Sequence, residues 1–276
     1  MSRIIWQGSE ERIRKSAMYR FMRLQGFDDY MDLYEWSISQ RAYFWDALIK
    51  FCNIRFSNPP KMTLKEGADM VSDKWFPGAE LNFAEHLLRH EGDRAAVIFR
   101  GENNLRQEIS FDQLRFQVAS VTGYLKEIGL SKNDCVAAFL PNCPEAIIAM
   151  LACSSMGVIW SSCSPDFGVE GVVDRFGQIK PKLLITADGY FYNGKQHDSL
   201  DLANNIINDI KSIKNIIVVP FIDTQSKTEF KENVIFWPSI IDKEADLEFT
   251  SLPFDHPLYI LYSSGTTGSP KCIVHG

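Results

Sequence analysis

The residues best suited to chemistry in this sequence form a stretch rich in glycine and hydroxyl groups, Tyr262-Ser-Ser-Gly-Thr-Thr-Gly-Ser-Pro-Lys271. Its glycines let the backbone approach a ligand closely and turn N–H groups toward it. The hydroxyl groups add hydrogen-bond donors, and the lysine adds a positive charge. These groups together would bind the phosphates of a nucleotide. The candidate phosphate-binding residues of this glycine loop (Ser263–Lys271) are Ser263, Ser264, Gly265, Thr266, Thr267, Gly268 and Lys271.

An ordinary surface turn has the same composition, because Gly, Ser, Thr and Pro are also common loop residues. The loop is not a Walker P-loop, which ends in Gly-Lys-Ser/Thr after a longer spacer. Here only Thr266 and Thr267 separate the two glycines, and Cys272 follows Lys271. The apolar run Leu258–Tyr262 predicts a strand directly before the loop. A strand that leads into such a loop favours nucleotide phosphate as the ligand.

Composition limits the class of protein. The chain has 276 residues, of which 45% are hydrophobic and 23% charged, as in soluble globular proteins. A net charge of −6 and a pI near 5.5 argue against nucleic acid or an anionic membrane as a partner. The six cysteines form no C-x-x-C pair, and we find neither a signal peptide nor a membrane span. We therefore expect a cytoplasmic protein with reduced cysteines.

Strand and helix patterns alternate from about residue 95 onward. Ala95–Arg100 and Leu105–Ile109 predict a hairpin, and Ser110 with Gln113 predicts a capping box at the start of an amphipathic helix. This alternation predicts an α/β fold whose sheet is mainly parallel, with helices on both faces. Further strands are predicted at Cys135–Leu140, Val158–Ser162, Leu183–Thr186, Ile216–Val219 and Leu258–Tyr262, and helices over about Pro144–Met156 and Leu200–Ile213.

Ligands of such sheets lie beyond the carboxyl ends of the strands. Residues 1–60, by contrast, are rich in aromatic residues at helical spacing, and Asn58-Pro-Pro-Lys61 ends that region. We expect residues 1–60 to form a helical cap on the main body. The connections in which a ligand site is expected are Pro141–Pro144, Cys163–Gly168, Ala187–Lys195 and Ser263–Lys271.

The glycine loop resembles the phosphate-binding signature of the acyl-adenylate-forming enzymes, a superfamily that includes acyl-CoA synthetases, luciferases and peptide-synthetase adenylation domains. Trp75–Leu88 is similar to the stretch that opens the main domain of acetyl-CoA-synthetase-like enzymes, and Trp36 and Phe44-Trp45 resemble their N-terminal segment. The resemblance implies an N-terminal helical segment over residues 1–75. It also implies an incomplete large AMP-binding domain over residues 76–276.

Ser161-Ser-Cys-Ser-Pro-Asp-Phe-Gly-Val-Glu-Gly-Val-Val-Asp-Arg-Phe-Gly-Gln-Ile-Lys-Pro181 most resembles the acetoacetyl-CoA synthetase branch. The resemblance implies that a carboxylate, here acetoacetate, attacks the α-phosphate of ATP to give an acyl-adenylate, from which CoA displaces AMP. ATP, Mg²⁺ and CoA are the cofactors implied. Thr266 and Thr267 would contact the phosphates, and Lys271 would neutralise their charge. A synthetase for acetate, propionate or another short acyl acid is the alternative.

A CoA-binding segment is implied at Asp188-Gly-Tyr-Phe-Tyr-Asn-Gly-Lys195, where related acetyl-CoA synthetases carry two basic residues for the 3′-phosphate of CoA. Lys195 matches the second of them. Tyr192 stands where the first would be, which departs from the family pattern. Phe167 and Gly168 lie in the other connection expected near CoA.

Three further patterns are weaker. His86 and His90 could share a helix face, but no third metal ligand is near, so we predict no metal site. Asp166-Phe-Gly168 copies the magnesium motif of kinases without the other kinase elements. Cys163 has no histidine nearby, so we expect a buried thiol rather than a nucleophile.

The resemblance leads us to expect an N-terminal fragment, because the family's adenine-pocket motif, hinge and small C-terminal domain do not occur in these 276 residues. We expect no ligase activity from the chain alone, and acetoacetyl-CoA production by it would refute this. Leu258–Tyr262 is expected to form an unpaired sheet edge through which copies self-associate. A non-catalytic interaction module is the competing class of function.

Overall fold

The structure, a computed structural model, describes residues 5–222, 228–231, 233–263, 268 and 270–276. The chain divides into two compact units, Met1–Leu81 and Asn82–Gly276. All six cysteines are free. Within the described ranges, no helix combines the length and the apolar character that crossing a membrane requires.

The first unit is mainly helical, as its aromatic pattern predicts. Phe21 and Leu33 are buried, and the Phe44 ring meets the rings of Phe21 and Trp36 edge-on at centroid distances of 5.8 and 5.6 Å. Ser16 caps the second helix by accepting a hydrogen bond from a backbone N–H. The elements described in this unit are α1 (Glu10–Lys15), α2 (Ala17–Leu24), α3 (Tyr30–Ser39), α4 (Arg41–Phe51), β1 (Leu64–Lys65), β2 (Lys74–Trp75) and β3 (Glu80–Leu81).

The second unit alternates strands and helices. Its helices are α5 (Phe83–Leu87), α6 (Phe111–Glu127), α7 (Pro144–Met156), α8 (Val169–Ile179) and α9 (Leu200–Asp209), with 3₁₀ turns at Glu102–Asn104 and Trp237–Ser239. Its described strands are β4 (Ala95–Arg100), β5 (Arg106–Ser110), β6 (Cys135–Phe139), β7 (Ile159–Cys163), β8 (Leu183–Ala187), β9 (Gly189–Tyr192), β10 (Lys195–Asp198), β11 (Asn215–Val219), β12 (Asn233–Phe236), β13 (Leu252–Pro253), β14 (Tyr259–Ser263) and β15 (Lys271–His275).

A seven-stranded sheet is the centre of this unit, in the order β12-β11-β8-β6-β7-β14-β15. All neighbouring strands run parallel except β15, which pairs antiparallel with β14. From β6 the chain moves to β7 on one side and then to β8 on the other. The strand order therefore reverses beside β6, which is where ligands of open parallel sheets bind.

Both faces of the sheet are covered, as predicted. Val136 and Ala138 of β6 pack on the face that α6 and α7 cover, whereas Ala137 and Phe139 pack on the face of α8 and α9. This split follows from the period-2 alternation of side chains along a strand. Because helices bury each face, the strands are apolar almost throughout rather than alternating.

Several local predictions are confirmed. The β4–β5 hairpin forms, and Ser110 and Gln113 make the reciprocal bonds of a capping box at the start of α6. The helix α7 has the predicted limits, and Gly157 ends it with a φ of +74°, a conformation that glycine adopts without strain. The predicted strands match β6, β7, β8, β11 and β14 with ends shifted by a residue or so.

Two predictions need correction. The strand before the glycine loop is not an edge, because β14 pairs with β7 on one side and β15 on the other. Among the described strands, β15 forms that edge of the sheet. The segment Ala187–Lys195, expected to be a connection, contains β9 and turns into β10. The helix α8 and the strand β12 have no counterpart among the predictions.

Candidate functional site

The loops predicted to carry the site leave the same edge of the sheet. The strands β7 and β14 are parallel neighbours, with Trp160 opposite Tyr259 and Ser161 opposite Ile260. Their carboxyl ends therefore lie side by side, about 4.8 Å apart. The segment after β7 contains Phe167, and the glycine loop follows β14. The structure thus brings these two candidate regions together.

The glycine loop connects two antiparallel strands, since Ser263 of β14 is the register partner of Lys271 of β15. Of its predicted phosphate-binding residues, the structure describes Ser263, Gly268 and Lys271. Gly268 has a φ of +104°, which an L-residue with a side chain rarely adopts. The remaining four, Ser264, Gly265, Thr266 and Thr267, lie outside the described residues.

The strand end that leads into the loop is anchored by Tyr262. Its hydroxyl lies 3.0 Å from Oγ of Ser161, and that Oγ also donates to the carbonyl of Ile260 at 2.9 Å. The Tyr262 ring lies 6.5 Å from that of Phe176 on α8. Burial raises the pKa of Tyr262, so its hydroxyl stays protonated as a hydrogen-bonding group. These contacts fix the first end of the glycine loop.

Arg175 of α8 lies between the two candidate regions. Its guanidinium carbon is 4.5 Å from the centre of the Phe167 ring and 6.0 Å from that of Tyr262. Its Nη1 donates to the carbonyl of Gly171 at 2.6 Å. Both ring distances are within the range of cation–π attraction. A single cation therefore contacts the segment after β7 and the strand before the glycine loop.

Gln178, one turn further along α8, contacts the other end of the loop. Its Nε2 donates to the carbonyl of Pro270 at 2.9 Å, and the Cys272 thiol is 3.5 Å from its Oε1. Pro270 and Cys272 flank Lys271. Through this side chain the same helix holds the segment by which the chain leaves the glycine loop.

Two cationic side chains, Lys271 and Arg175, lie at the ends of the loop although the chain is acidic overall. Lys271 is exposed, and neither it nor Arg175 makes an ion pair with any residue that the structure describes. Uncompensated cations at the carboxyl edge of a sheet favour an anionic ligand there. This agrees with a phosphate site.

The predicted CoA residues fall in two places. Phe167 and Gly168 follow β7, the sheet neighbour of β14, with Gly168 at the N-cap of α8. Tyr192 and Lys195 are register partners at the tip of the β9–β10 hairpin, and both are exposed. Since β8, which leads into that hairpin, is three strands from β14, the structure separates these two residues from the glycine loop.

The hairpin tip is held from outside by Glu102. Asn193 and Gly194 form the turn with φ values of +51° and +73°, the left-handed conformations of a tight hairpin. Their N–H groups donate to the two carboxylate oxygens of Glu102 at 3.2 and 2.8 Å. The imidazole of His197 stacks on the Tyr190 ring at 5.0 Å. Glu102 therefore occupies the backbone donors that the turn presents.

The weaker patterns contribute no site. The helix α5 ends at Leu87, so His86 and His90 do not share a helix face. The described residues contain no cluster of three potential metal ligands. Cys163 is buried, as expected, and burial raises the pKa of its thiol to about 11 although the charge of Arg175 opposes this. Asp166 is exposed in the segment before α8.

Arg175, Gln178 and Glu102 are absent from the sequence-based site. The first two were missed because α8 was not predicted, although Val169, Val172, Val173 and Phe176 follow the spacing of an amphipathic helix. That pattern could have located the helix but not the rings its side chains reach. Glu102 had no comparable signal, since its partners lie far along the chain.

Two family models match the chain. The model described as AMP-binding enzyme covers residues 83–276, and the model described as acetyl-coenzyme A synthetase N-terminus covers residues 30–87. The first match alone spans most of the sequence. It includes the sheet, α8 and the glycine loop.

Individual proteins also match the chain over nearly all of its length. The chain is 42% identical to the acetoacetyl-coenzyme A synthetase of Rhizobium meliloti (strain 1021), covering 99% of this chain and 43% of that protein. It is 38% identical to the malonamoyl-CoA synthetase of Penicillium aethiopicum, covering 99% and 40%. The solved structure of acetoacetyl-CoA synthetase from Streptomyces lividans matches with a TM-score of 0.92 at 36% identity, covering 99% of this chain and 43% of that one.

The chain thus spans less than half the length of these relatives, while nearly all of it is matched. The structural match extends over the described sheet and its helices, so the fold expected from the sequence, the N-terminal part of an acyl-adenylate-forming enzyme, is confirmed. On the family match and the structural match together, this chain belongs to the AMP-binding enzyme family.

Proposed function

We propose that the chain is part of an ATP-dependent acid–thiol ligase that makes acetoacetyl-CoA from acetoacetate, ATP and CoA. In this reaction the acid carboxylate attacks the α-phosphate of ATP, pyrophosphate leaves, and the CoA thiol then displaces AMP from the acyl-adenylate. The observation that carries the proposal is the glycine loop at the carboxyl end of β14, in a sheet that matches acetoacetyl-CoA synthetase.

The described part of the loop fits a polyphosphate. Gly268 has a φ of +104°, in the region that favours glycine, and Lys271 is an exposed cation with no ion pair among described residues. We assign Lys271 to neutralise the β- and γ-phosphates, and Thr266 and Thr267 to hydrogen-bond them. Mg²⁺ bound to ATP keeps several waters and is held largely by phosphate oxygens, so it needs no protein cage. When bound, it stabilises the charge on the leaving pyrophosphate.

For CoA we propose two contacts on this chain. Phe167 and Gly168 would line the channel beside the glycine loop, where Arg175 holds the Phe167 ring. Lys195, with Tyr192 beside it at the hairpin tip, would attract the 3′-phosphate of CoA. We also propose a domain division into residues 1–75 and 76–276. The free cysteines support the cytoplasm as the compartment.

A chimera tests the proposal in a complete enzyme. The matched part of the Rhizobium meliloti synthetase is replaced by this chain, and acetoacetyl-CoA formation is measured with acetoacetate, MgATP and CoA. We expect turnover that depends on all three substrates. Thr266→Ala with Lys271→Ala should raise the KM for ATP about tenfold to a hundredfold, as for loss of a charged hydrogen bond. Lys211→Ala, at an exposed lysine after α9, is the control. An unchanged KM in the double variant would contradict the assignment.

Malonamate is a second candidate acid, because a malonamoyl-CoA synthetase matches nearly as well. A second chimera, with this chain in the Penicillium aethiopicum protein, separates the two acids. If the chain is adapted to acetoacetate, the Rhizobium chimera keeps most of its parent's kcat/KM, while the Penicillium chimera loses most of it with malonamate. The reverse pattern would favour malonamate.

We further propose that the chain self-associates through the β15 edge. Ile273 and Val274 on this strand have 43% and 56% of their surface exposed, and an open edge can pair with a second copy. Light scattering after gel filtration should show a dimer that Val274→Lys disrupts. A monomer at all concentrations would refute this.

A further inference from the structure

Two side chains of the helix α8 contact Phe167 and the residues that flank the glycine loop, Tyr262, Pro270 and Cys272. We infer that Arg175 and Gln178 are positioning residues, which hold the two ends of the glycine loop and connect it to Phe167. This inference rests on the proposed nucleotide site. It assigns a role to side chains that would not themselves touch ATP.

The first step is geometric. Arg175 and Gln178 are three residues apart on α8, so they lie on the same face of the helix. One reaches Tyr262, the residue that precedes the loop, and the other reaches the carbonyl of Pro270, which precedes Lys271. The helix therefore contacts both ends of the loop, and the two contacting side chains are one helical turn apart.

The second step concerns how each end is held. Ser161 is hydrogen-bonded to the hydroxyl of Tyr262, Phe176 packs near its ring, and Arg175 lies over that ring. The exit end depends on Gln178, whose amide donates to Pro270 and whose carbonyl lies near Cys272. A carbonyl at Pro270 that is held by Gln178 fixes the backbone from which Lys271 projects.

The third step is the connection to Phe167. The guanidinium of Arg175 is closer to this ring than to Tyr262, at 4.5 against 6.0 Å. Arginine suits this place because its planar group can stack on a ring and still carry a full charge, which lysine does less well. Any displacement of Tyr262 or of the loop would move Arg175 and with it Phe167. Binding of a nucleotide to the glycine loop should therefore change the amide exchange of the segment after β7.

The test measures amide hydrogen exchange and MgATP affinity on the 276-residue chain, compared with Arg175→Met and Gln178→Met. The matched control is Arg94→Met, since Arg94 stacks on Phe111 at 4.9 Å in a part of the unit outside the candidate site. Arg175→Lys tests whether the planar group or the charge alone is needed.

In the unmodified chain, MgATP should slow exchange both in peptides spanning residues 262–276 and at Phe167–Gly168. In Arg175→Met the protection at Phe167–Gly168 should be lost while protection of the loop remains, a separation that general loss of packing would not produce. Gln178→Met should weaken MgATP binding about fivefold, as for one hydrogen bond. Arg175→Lys should retain only part of the coupling, and Arg94→Met should behave as the unmodified chain.

Failure of this inference differs from failure of the nucleotide site. If MgATP protects the loop in all variants and Phe167–Gly168 equally in all of them, the positioning role is wrong and the site stands. If MgATP slows amide exchange nowhere in the unmodified chain, both the proposed nucleotide site on this chain and its coupling to Phe167 are wrong. Without ATP, Gln178→Met must still speed exchange at Cys272, and unchanged exchange there would also overturn the inference.

Discussion

The two candidate ligand regions at the carboxyl edge of the sheet are held in opposite ways. The ends of the glycine loop are fixed from within the fold, by the Tyr262 hydroxyl at Ser161 and by side chains of α8. The β9–β10 hairpin is exposed, and its turn is held by one surface carboxylate, Glu102. The first region is tied to the core at its ends, through Tyr262 and Pro270, whereas the tip of the second lies on the surface.

This difference indicates different tasks. A loop that must stabilise charge during a reaction benefits from fixed donors, because preorganised groups need not reorganise as the charge develops. A hairpin that carries Lys195 and Tyr192 need only attract a charged group of a ligand. If the comparison is right, substitutions around Tyr262 should affect the whole fold, and substitutions in the hairpin should act locally.

The largest effect is expected at Phe176, which is fully buried under the Tyr262 ring. Phe176→Ala should lower the free energy of unfolding by about 3–5 kcal/mol, because it removes apolar contacts and leaves a cavity. Tyr192→Ala in the hairpin, where 66% of the residue is exposed, should change it by less than about 0.5 kcal/mol. Urea unfolding measures both. Similar losses of unfolding free energy in the two variants would contradict the proposed difference between the glycine loop and the hairpin.

A smaller effect should follow from Tyr262→Phe. The ring and its packing on Phe176 remain, but the hydrogen bond with Ser161 is lost. We expect a loss of about 1 kcal/mol in unfolding free energy, with faster amide exchange at Ser263. Tyr192→Phe is the matched control on the hairpin. No loss in Tyr262→Phe would mean that packing alone fixes the strand end.

Alkaline pH should destabilise the fold, in part through buried groups of the β7–β14 region. Burial raises the pKa of Cys163 from 9.0 to about 11 and also raises that of Tyr262. Since both pKa values are higher in the folded chain than in the unfolded one, the stability these neutral groups contribute is complete below about pH 9. The contribution of Cys163 is lost as the pH rises from there through about 11, and that of Tyr262 is lost at higher pH. Urea midpoints across this range should fall, and less steeply in Cys163→Ala. An equal slope in that variant would contradict the assignment.

Much of the sheet could be predicted because local signals determine it. Ser110 with Gln113 marks the start of α6, and Gly157 marks the end of α7, each through backbone chemistry within a few residues. The position of the glycine loop after a strand follows from the same kind of signal. Such features need no knowledge of the rest of the fold.

The features that could not be predicted from the sequence depend on contacts between residues far apart in the chain. The strand β15 forms because Lys271–His275 pairs with β14. The mixture of polar and apolar residues in that segment does not by itself predict a strand. The contact of Arg175 with Tyr262 requires α8 to lie against β14, and the contact of Glu102 with Asn193 joins two separate hairpins. Sequence patterns report the period of an element, not the neighbour that its side chains meet.

The smallest effect should come from Glu102→Ala, which removes the carboxylate bound to the N–H groups of Asn193 and Gly194. The free energy of unfolding should change by less than about 1 kcal/mol, because the groups are exposed and water can replace the carboxylate. Amide exchange at the hairpin tip should nevertheless accelerate. Glu108→Ala, on the neighbouring strand, is the control.

A result confined to the tip would show that the hairpin moves independently of the sheet, as a surface-attached element should. If exchange also accelerated at Ser263 or Lys271, the hairpin and the glycine loop would form one coupled region. The contrast between the two regions would then be wrong, because Glu102 would be supporting both. Since β8 and β14 are separated by two strands in the sheet, we expect the effect to stop at the hairpin.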